Sequence, residues 1–295
     1  MAQLYQILGI SKQSFHQGLN RELKRREEQM QLLPIIQQIR KDHPRLSCRE
    51  MYFMLKPEYM GRDNFERFCY KYGLKVPQSK RFYRTTDSFG VTRFPNLLLE
   101  IEKITGINQV WVSDITYYQL LDQVFYITLI MDLFSRQIVG YRISTTLRTE
   151  ETTIKTLKMA LQIRGISQNS NLIIHSDGGG QYYSKEFRKL TEYYGMRNSM
   201  CESVYENAHA ERVNGTIKNA YLKPYSPQNF LDLERMLIKA VYLYNNQKPH
   251  QSIDRCTPTE FEKLTKLGIL TKTWVINKRK KVTKKEKVNI SITSQ

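Results

Sequence analysis

Three acidic residues sit where a folded chain could bring them together. Asp114 lies inside the β-branched and aromatic run WVSDITYY, Asp177 closes an apolar stretch in HSDGGGQYYS, and Glu211 lies in NAHAERVNGTIKNAY. Converging carboxylates suit phosphodiester chemistry. Negative charge grows on both the entering and the leaving oxygen, and two divalent ions about 3.5–4 Å apart stabilise both. Hard ions such as Mg2+ take oxygen ligands and keep several waters, so acidic groups must reach one point from rigid elements. Taken singly, each residue has an ordinary reading. Asp114 could be an exposed strand position, Asp177 an Asp-Gly turn and Glu211 a solvated helix position. Their joint placement on a first strand, a fourth strand and a following helix is the signal.

The elements that must position them follow from pattern. Val110 to Leu120, Phe125 to Phe134 and Ile138 to Thr145 are rich in β-branched and aromatic residues, with short polar breaks between them. This predicts three strands with hairpin-length connections. Thr149 to Arg164 has a helical period, and Asn171 to His175 reads as a short buried strand. Ser184 to Tyr194 reads as a helix capped by Ser184 and stopped by Gly195. Met196 to Cys201 is a brief fifth strand and Asn207 to Leu222 a third helix. The order β-β-β-α-β-α-β-α predicts an α/β fold, a mixed sheet with helices. On the third helix, Ala210, Val213, Ile217 and Ala220 form the expected core stripe, which leaves Glu211 facing away beside Asn207, Gly215 and Lys218. Lys218, two turns beyond Glu211, could take a DNA phosphate or be an ordinary surface lysine.

Charge points to the partner. The net charge is +18, divided as +8 over residues 1–100, +3 over 101–270 and +7 over the last 25. An excess at both ends around a balanced middle suits phosphate backbones. In the N-terminal region, Ser11 is a plausible helix cap for a run from Lys12 to Arg21. Ser47 could cap a helix through Leu55, with another from Arg62 to Tyr72. Such pairs read as helix-turn-helix units or as ordinary helical hairpins. Lys75 to Pro95 interleaves basic and aromatic residues as a linker able to lie along DNA. Four separated cysteines without a CxxC pair suggest neither disulfides nor a zinc finger. The longest apolar run, Tyr126 to Phe134, is interrupted by Asp132, so no membrane span is expected. The N-terminus lacks a signal-peptide pattern, so an intracellular protein is expected.

The motifs WVSDITYY, MDLFSRQIVGY, HSDGGGQYYS, NSMCESVYENAHAERVNGTIKNAY and YNNQKPHQSIDRCTPTEF, spread over residues 111–261, resemble the insertion-sequence transposases of the retroviral-integrase superfamily. The likeness is to those read from the second of two overlapping frames. The resemblance implies a ribonuclease H-like five-stranded mixed sheet at 101–265 with a C-terminal helical extension. A helix-turn-helix DNA-binding region and basic linker at 1–100 precede it, and a basic tail at 266–295 follows. It implies that Asp114, Asp177 and Glu211 are the catalytic, metal-binding triad for two Mg2+ ions, with Mn2+ able to substitute. It also implies DNA contact by Lys218, and the basic segments suggest further contacts at Arg212, Lys12, Arg81, Arg84, Lys278, Arg279, Lys280 and Lys281. The implied activity is cleavage at the terminal inverted repeats of a mobile element and strand transfer into target double-stranded DNA. The implied setting is a homo-oligomer, at least a dimer, in the bacterial cytoplasm at the nucleoid. This chain departs from the family in two places. The interval from Asp177 to Glu211 is two residues shorter than usual, within Met200 to Asn207, and Glu206 replaces the usual Asp before Asn207. Asp132 is expected to be structural beside Ser135 and Arg136. His209 should point away from Glu211, and His250 has no zinc-ligand company. A non-catalytic DNA-binding regulator and a ribonuclease H-like nuclease are the alternatives.

Overall fold

The computed structural model describes residues 11–76, 94–201 and 207–275, together with Tyr5 and Gly9; Arg81, Arg84, Lys278, Arg279, Lys280 and Lys281 lie outside the described residues.

Serine caps begin two of the first helices. The Ser11 hydroxyl accepts from the Ser14 amide at 3.0 Å and starts α1, Lys12–Asp42. This helix runs well past the expected end at Arg21. The run of Glu, Lys, Arg and Gln is made of good helix formers, and Arg26 pairs with Glu22 one turn earlier at 2.6 Å. Pro34 removes one backbone bond inside the helix, but Leu32 and Ile36 beside it are buried. Ser47 and Glu50 form a reciprocal capping box for α2, Cys48–Leu55, and α3 spans Arg62–Lys71. Leu32, Ile36, Met51, Phe65 and Phe68 form the core shared by these three helices.

A short strand, β1 (Lys103–Ile104), precedes the main sheet. Then β2 (Val110–Leu120), β3 (Gln123–Asp132) and β4 (Ile138–Ser144) form an antiparallel meander. The first turn is tight, with Leu121 at φ 52°. A π-helical turn at Glu150–Ile154 leads into α4 (Lys155–Arg164). β5 (Ile173–Ser176), α5 (Lys185–Tyr193, capped by Ser184) and β6 (Arg197–Met200) follow. The five strands order β4-β3-β2-β5-β6, with β5 and β6 parallel to β2.

α6 (Ala208–Thr216) continues through a π-helical turn at Ile217–Leu222. α7 is Phe230–Asn246 and α8 is Pro258–Lys266. The π turn, closed by i→i+5 bonds, rotates the expected core stripe. Tyr221 and Leu222 are buried, while Ala220 is only half-buried. After α8 the chain returns as β7 (Trp274–Val275) to pair with β1. The Trp274 indole donates to the Phe134 carbonyl at 3.0 Å.

Alternation along the strands separates two cores. Val110 and Val112 face α6 and α7, while Trp111, Ile130 and Val139 face α4 and α5. The N-terminal helices dock on the first of these layers through polar contacts. Buried His43 meets the Tyr221 hydroxyl at 2.9 Å, Asp42 pairs with Lys239 at 2.7 Å, and Glu50 pairs with Lys248. Two further groups seal the layers. Asn245 accepts from the Ile138 amide and donates to its carbonyl, both at 2.9 Å, taking the place of a strand neighbour for β4. Arg164 forms a two-pronged ion pair with Glu262 at 2.6 and 2.5 Å.

Helix α4 comes close to the sheet at Gly140. A Cβ there would sit 2.6 Å from the Thr156 carbonyl oxygen and 3.1 Å from the Ala160 Cβ. Gly140→Ala therefore forces β4 and α4 apart. It should lower unfolding free energy by about 1–3 kcal/mol, as overpacking does. Urea denaturation measures this, and an unchanged midpoint and slope would contradict it.

Candidate active site

The parallel register of β2 and β5 sets the two aspartates side by side. Val110 pairs with Ile173, Trp111 with Ile174 and Val112 with His175. Continuing by two residues places Asp114 opposite Asp177, just past the end of β5. Asp114 shares its sheet face with Val110 and Val112, so it points toward the layer that contains α6. Ser113 points to the other face, where its hydroxyl meets the Tyr182 hydroxyl at 2.8 Å. Asp177 is held by its own turn, with Oδ1 accepting from the Gly179 amide at 3.2 Å. A Cβ on Gly179 would come within 3.1 Å of that oxygen, so the close turn suits glycine.

α6 brings the third carboxylate. Ala210, Val213 and Ile217 are buried in the core, and Glu211 is half-buried beside that stripe. Two asparagines tie the helix to β2. Asn214 Nδ2 donates to Asp114 Oδ2 at 2.9 Å, and Asn207 Nδ2 donates to the Ser113 carbonyl at 3.1 Å.

The electrostatics register the convergence. Burial and the neighbouring Asp177 charge push Asp114 up to about 7; Glu211 adds to the rise and the Asn214 bond opposes it. Asp177 is raised by burial and by Glu211, against the Gly179 bond. Tyr182, buried beneath both aspartates, has its phenol raised by burial and by their charges. Each of the three carboxylates is thus within electrostatic reach of the other two. Among the described residues, however, no three His, Cys, Asp or Glu side chains close up as a ready-made metal cage. The donor set itself fits a hard divalent cation: all oxygen, anionic, and with two acids raised by burial and like charge that a cation would relieve.

The other sequence-predicted residues fall into three groups. Lys218 is half-buried with its ammonium 4.1 Å from the centre of the Tyr117 ring, and burial lowers its pKa. Arg212 and Lys12 are exposed. Asp132 is fully buried and accepts from the amides of Asn108, Phe134 and Ser135 at 2.7, 2.9 and 2.9 Å, a structural role. His209 meets the Arg136 guanidinium at 3.1 Å. Its pKa is lowered to about 4, by desolvation first and then by Arg136 and Arg212. His250 donates to the Tyr244 carbonyl, and burial holds its pKa at about 3. Among the described residues, none of the cysteines forms a disulfide. The partner of Asp114, Asn214, was hidden in the sequence because an asparagine on a helix reads as solvated. Its one signal was its place seven residues after Asn207 and three after Glu211.

A family profile described as Integrase core domain matches residues 105–204, and a second of the same description matches 196–258. The chain is 30% identical over 268 residues to the "Insertion element IS600 uncharacterized 31 kDa protein" of Shigella sonnei, covering 87% of this chain and 96% of that protein. It is 30% identical over 173 residues to the transposase of insertion sequence element IS904 of Lactococcus lactis, covering 57% and 67%. The chain belongs to the insertion-sequence transposases of the integrase superfamily. Transposase InsF of Escherichia coli insertion sequence IS3A is 29% identical to it over 200 residues, covering 64% and 66%. Among solved structures, the HTLV-2 integrase catalytic core domain in complex with magnesium aligns with 52% of the transposase and 96% of that chain, at 22% identity and TM-score 0.43. No helix among the described residues of the transposase is long and apolar enough to cross a membrane.

The raised Asp114 gives a pH signature. Its folded value of about 7 lies above the ordinary 3.8, so folding favours the protonated acid. That contribution is complete below about pH 3.8 and is lost as pH rises through 7. In metal-free buffer, Asp114→Asn should match the parent near pH 4. At pH 8 it should melt several degrees higher, because a shift of this size exceeds the roughly 1 kcal/mol that moves a domain of about 150–250 residues by about 2–4 °C. Melting curves across pH read this, and a pH-independent difference would contradict it.

Proposed function

We propose that Asp114, Asp177 and Glu211 are the catalytic carboxylates of a DNA-cleaving and strand-joining site, acting on the terminal inverted repeats of a mobile element and on target double-stranded DNA. The observation that carries this reading is the β2–β5 register. Its parallel ladder runs to Val112–His175, two residues short of both aspartates, and the charges of Asp177 and Glu211 act on Asp114 and that of Glu211 on Asp177. The three side chains would hold divalent cations, Mg2+ or Mn2+, two per site. When bound, such ions stabilise charge on the entering and leaving oxygens.

The chain's own residues prepare that site. Gly179 and Asn214 each hold one oxygen of an aspartate. Water attacks the phosphodiester at the element's end, the P–O3′ bond breaks, and a 3′ hydroxyl is released. That hydroxyl then attacks a second phosphodiester, forming one P–O bond as another breaks, so no nucleotide hydrolysis is needed. A circular intermediate, made by joining one end of the element to the other, fits this order of steps. Lys218, Arg212 and Lys12 are assigned to DNA contact, as are Arg81, Arg84, Lys278, Arg279, Lys280 and Lys281 outside the described residues. Because two ends must be held together, the working form is at least a dimer, at the nucleoid. The division into a helix-turn-helix region and linker at 1–100, a catalytic core at 101–265 and a basic tail at 266–295 belongs to the same proposal.

Incubation with a labelled inverted-repeat end tests it. Nicking should require Mg2+ or Mn2+ and fall to background in Asp177→Asn while DNA binding persists. Nicking that survives Asp177→Asn would remove the triad from the chemistry. Binding without nicking in the parent would favour a regulator.

A further inference from the structure

Asn207 and Asn214 bracket Glu211, four residues before it and three after, so the three share one helix face. Both asparagines are buried, at 3% and 4% exposure. Asn207 stands in the position that would cap α6, yet its side chain makes no capping bond. It reaches across to the Ser113 carbonyl, and Asn214 reaches to the next residue, Asp114. A carbonyl oxygen only accepts, and so does Asp114 in the ionised form that a cation would favour, so both amides present their NH2 groups to β2. Among the described residues, the Oδ1 of each amide is buried without a hydrogen-bond partner. Such orphaned acceptors are unfavourable, and an apolar side chain would fill either position without that cost. What the two residues contribute is their donors, and both donors are directed at the strand segment that carries Asp114.

We propose that Asn207 and Asn214 are positioning residues, a two-point amide clamp that fixes α6 against β2 and so sets where Glu211 stands relative to Asp114. Glu211 lies between the two clamp points on a helix that gives way to a π turn at Ile217, one residue after its end. Without the clamp, burial of Ala210 and Val213 holds the helix to the layer but does not fix its rotation or its slide along β2. Asn214 has a second part: it occupies Asp114 Oδ2 and thereby orients that carboxylate. The proposal rests on the reading of the three carboxylates as a cation site.

The test is binding of Mn2+ alone to the full chain, followed by the electron paramagnetic resonance of free Mn2+, with melting temperature recorded for each variant. Asn214→Leu keeps approximate shape and removes the donor. It should weaken Mn2+ binding by about ten-fold, the lower end of what loss of a group that orients a ligand costs. Asn214→Gln, which keeps an amide donor, should bind more tightly than both Asn214→Leu and Asn214→Ser. The Gln and Ser pair gives the same comparison should Asn214→Leu not fold. A merely structural role would lower melting temperature and leave the Mn2+ affinity of the folded protein unchanged, which overturns the clamp. Asp177→Asn separates the two levels. If it weakens Mn2+ binding while the Asn214 variants do not, the clamp alone fails. If it also leaves Mn2+ binding unchanged, the cation site falls and the clamp with it.

Discussion

Like charges gathered in a half-buried place are the constraint on which this architecture turns. A carboxylate beside another carboxylate, with limited water, resists ionisation, and Asp114 shows that resistance most strongly. Nothing in packing alone would select the arrangement, because it works against stability when no cation is present. The fold must therefore impose it, and it does so through the stiffest elements available. β2 is the central strand of five, with β3 on one side and β5 on the other. A central strand cannot slide without breaking both ladders, and a slip of one residue would turn Asp114 to the opposite face.

The surrounding structure serves to keep that central segment still. Asn214 and Asn207 reach it from α6, Tyr182 lies under it through Ser113, and the Gly179 turn holds the neighbouring aspartate. Further out, Asn245 supplies the missing partner for edge strand β4, and Asp132 gathers three amides where β3 ends. The π turn after α6 turns Tyr221 inward, where its hydroxyl meets His43 of the N-terminal helical region. One continuous set of contacts thus joins the helices proposed to read DNA to the helix that bears Glu211.

Much of this was legible from residue types. β2 was read with the bounds it has, because β-branched and aromatic residues dominate from Val110 to Leu120 and a polar break follows. Ser11, Ser47 and Ser184 were recognisable caps, while the structural role expected of Asp132 came from the family resemblance. Other features are non-local and leave no local trace. The adjacency of β2 and β5 depends on a crossover, so the pairing of Asp114 with Asp177 could be inferred only from the family resemblance. The π turn shifted burial from Ala220 to Tyr221, which a uniform 3.6-residue period cannot anticipate. α1 ran on to Asp42 because its proline lies among residues that dock on α2 and α3. Asn214 was not singled out from the sequence, since nothing in its neighbours announces the acid it meets across the site.

Anomalous diffraction from crystals grown with Mn2+ addresses the central claim directly, because it locates the ion without reference to activity. The account predicts anomalous density enclosed by Asp114, Asp177 and Glu211, resolving into two peaks about 3.5–4 Å apart once DNA is bound. Mn2+ density elsewhere on the protein, with the three carboxylates ordered and bare, would contradict it.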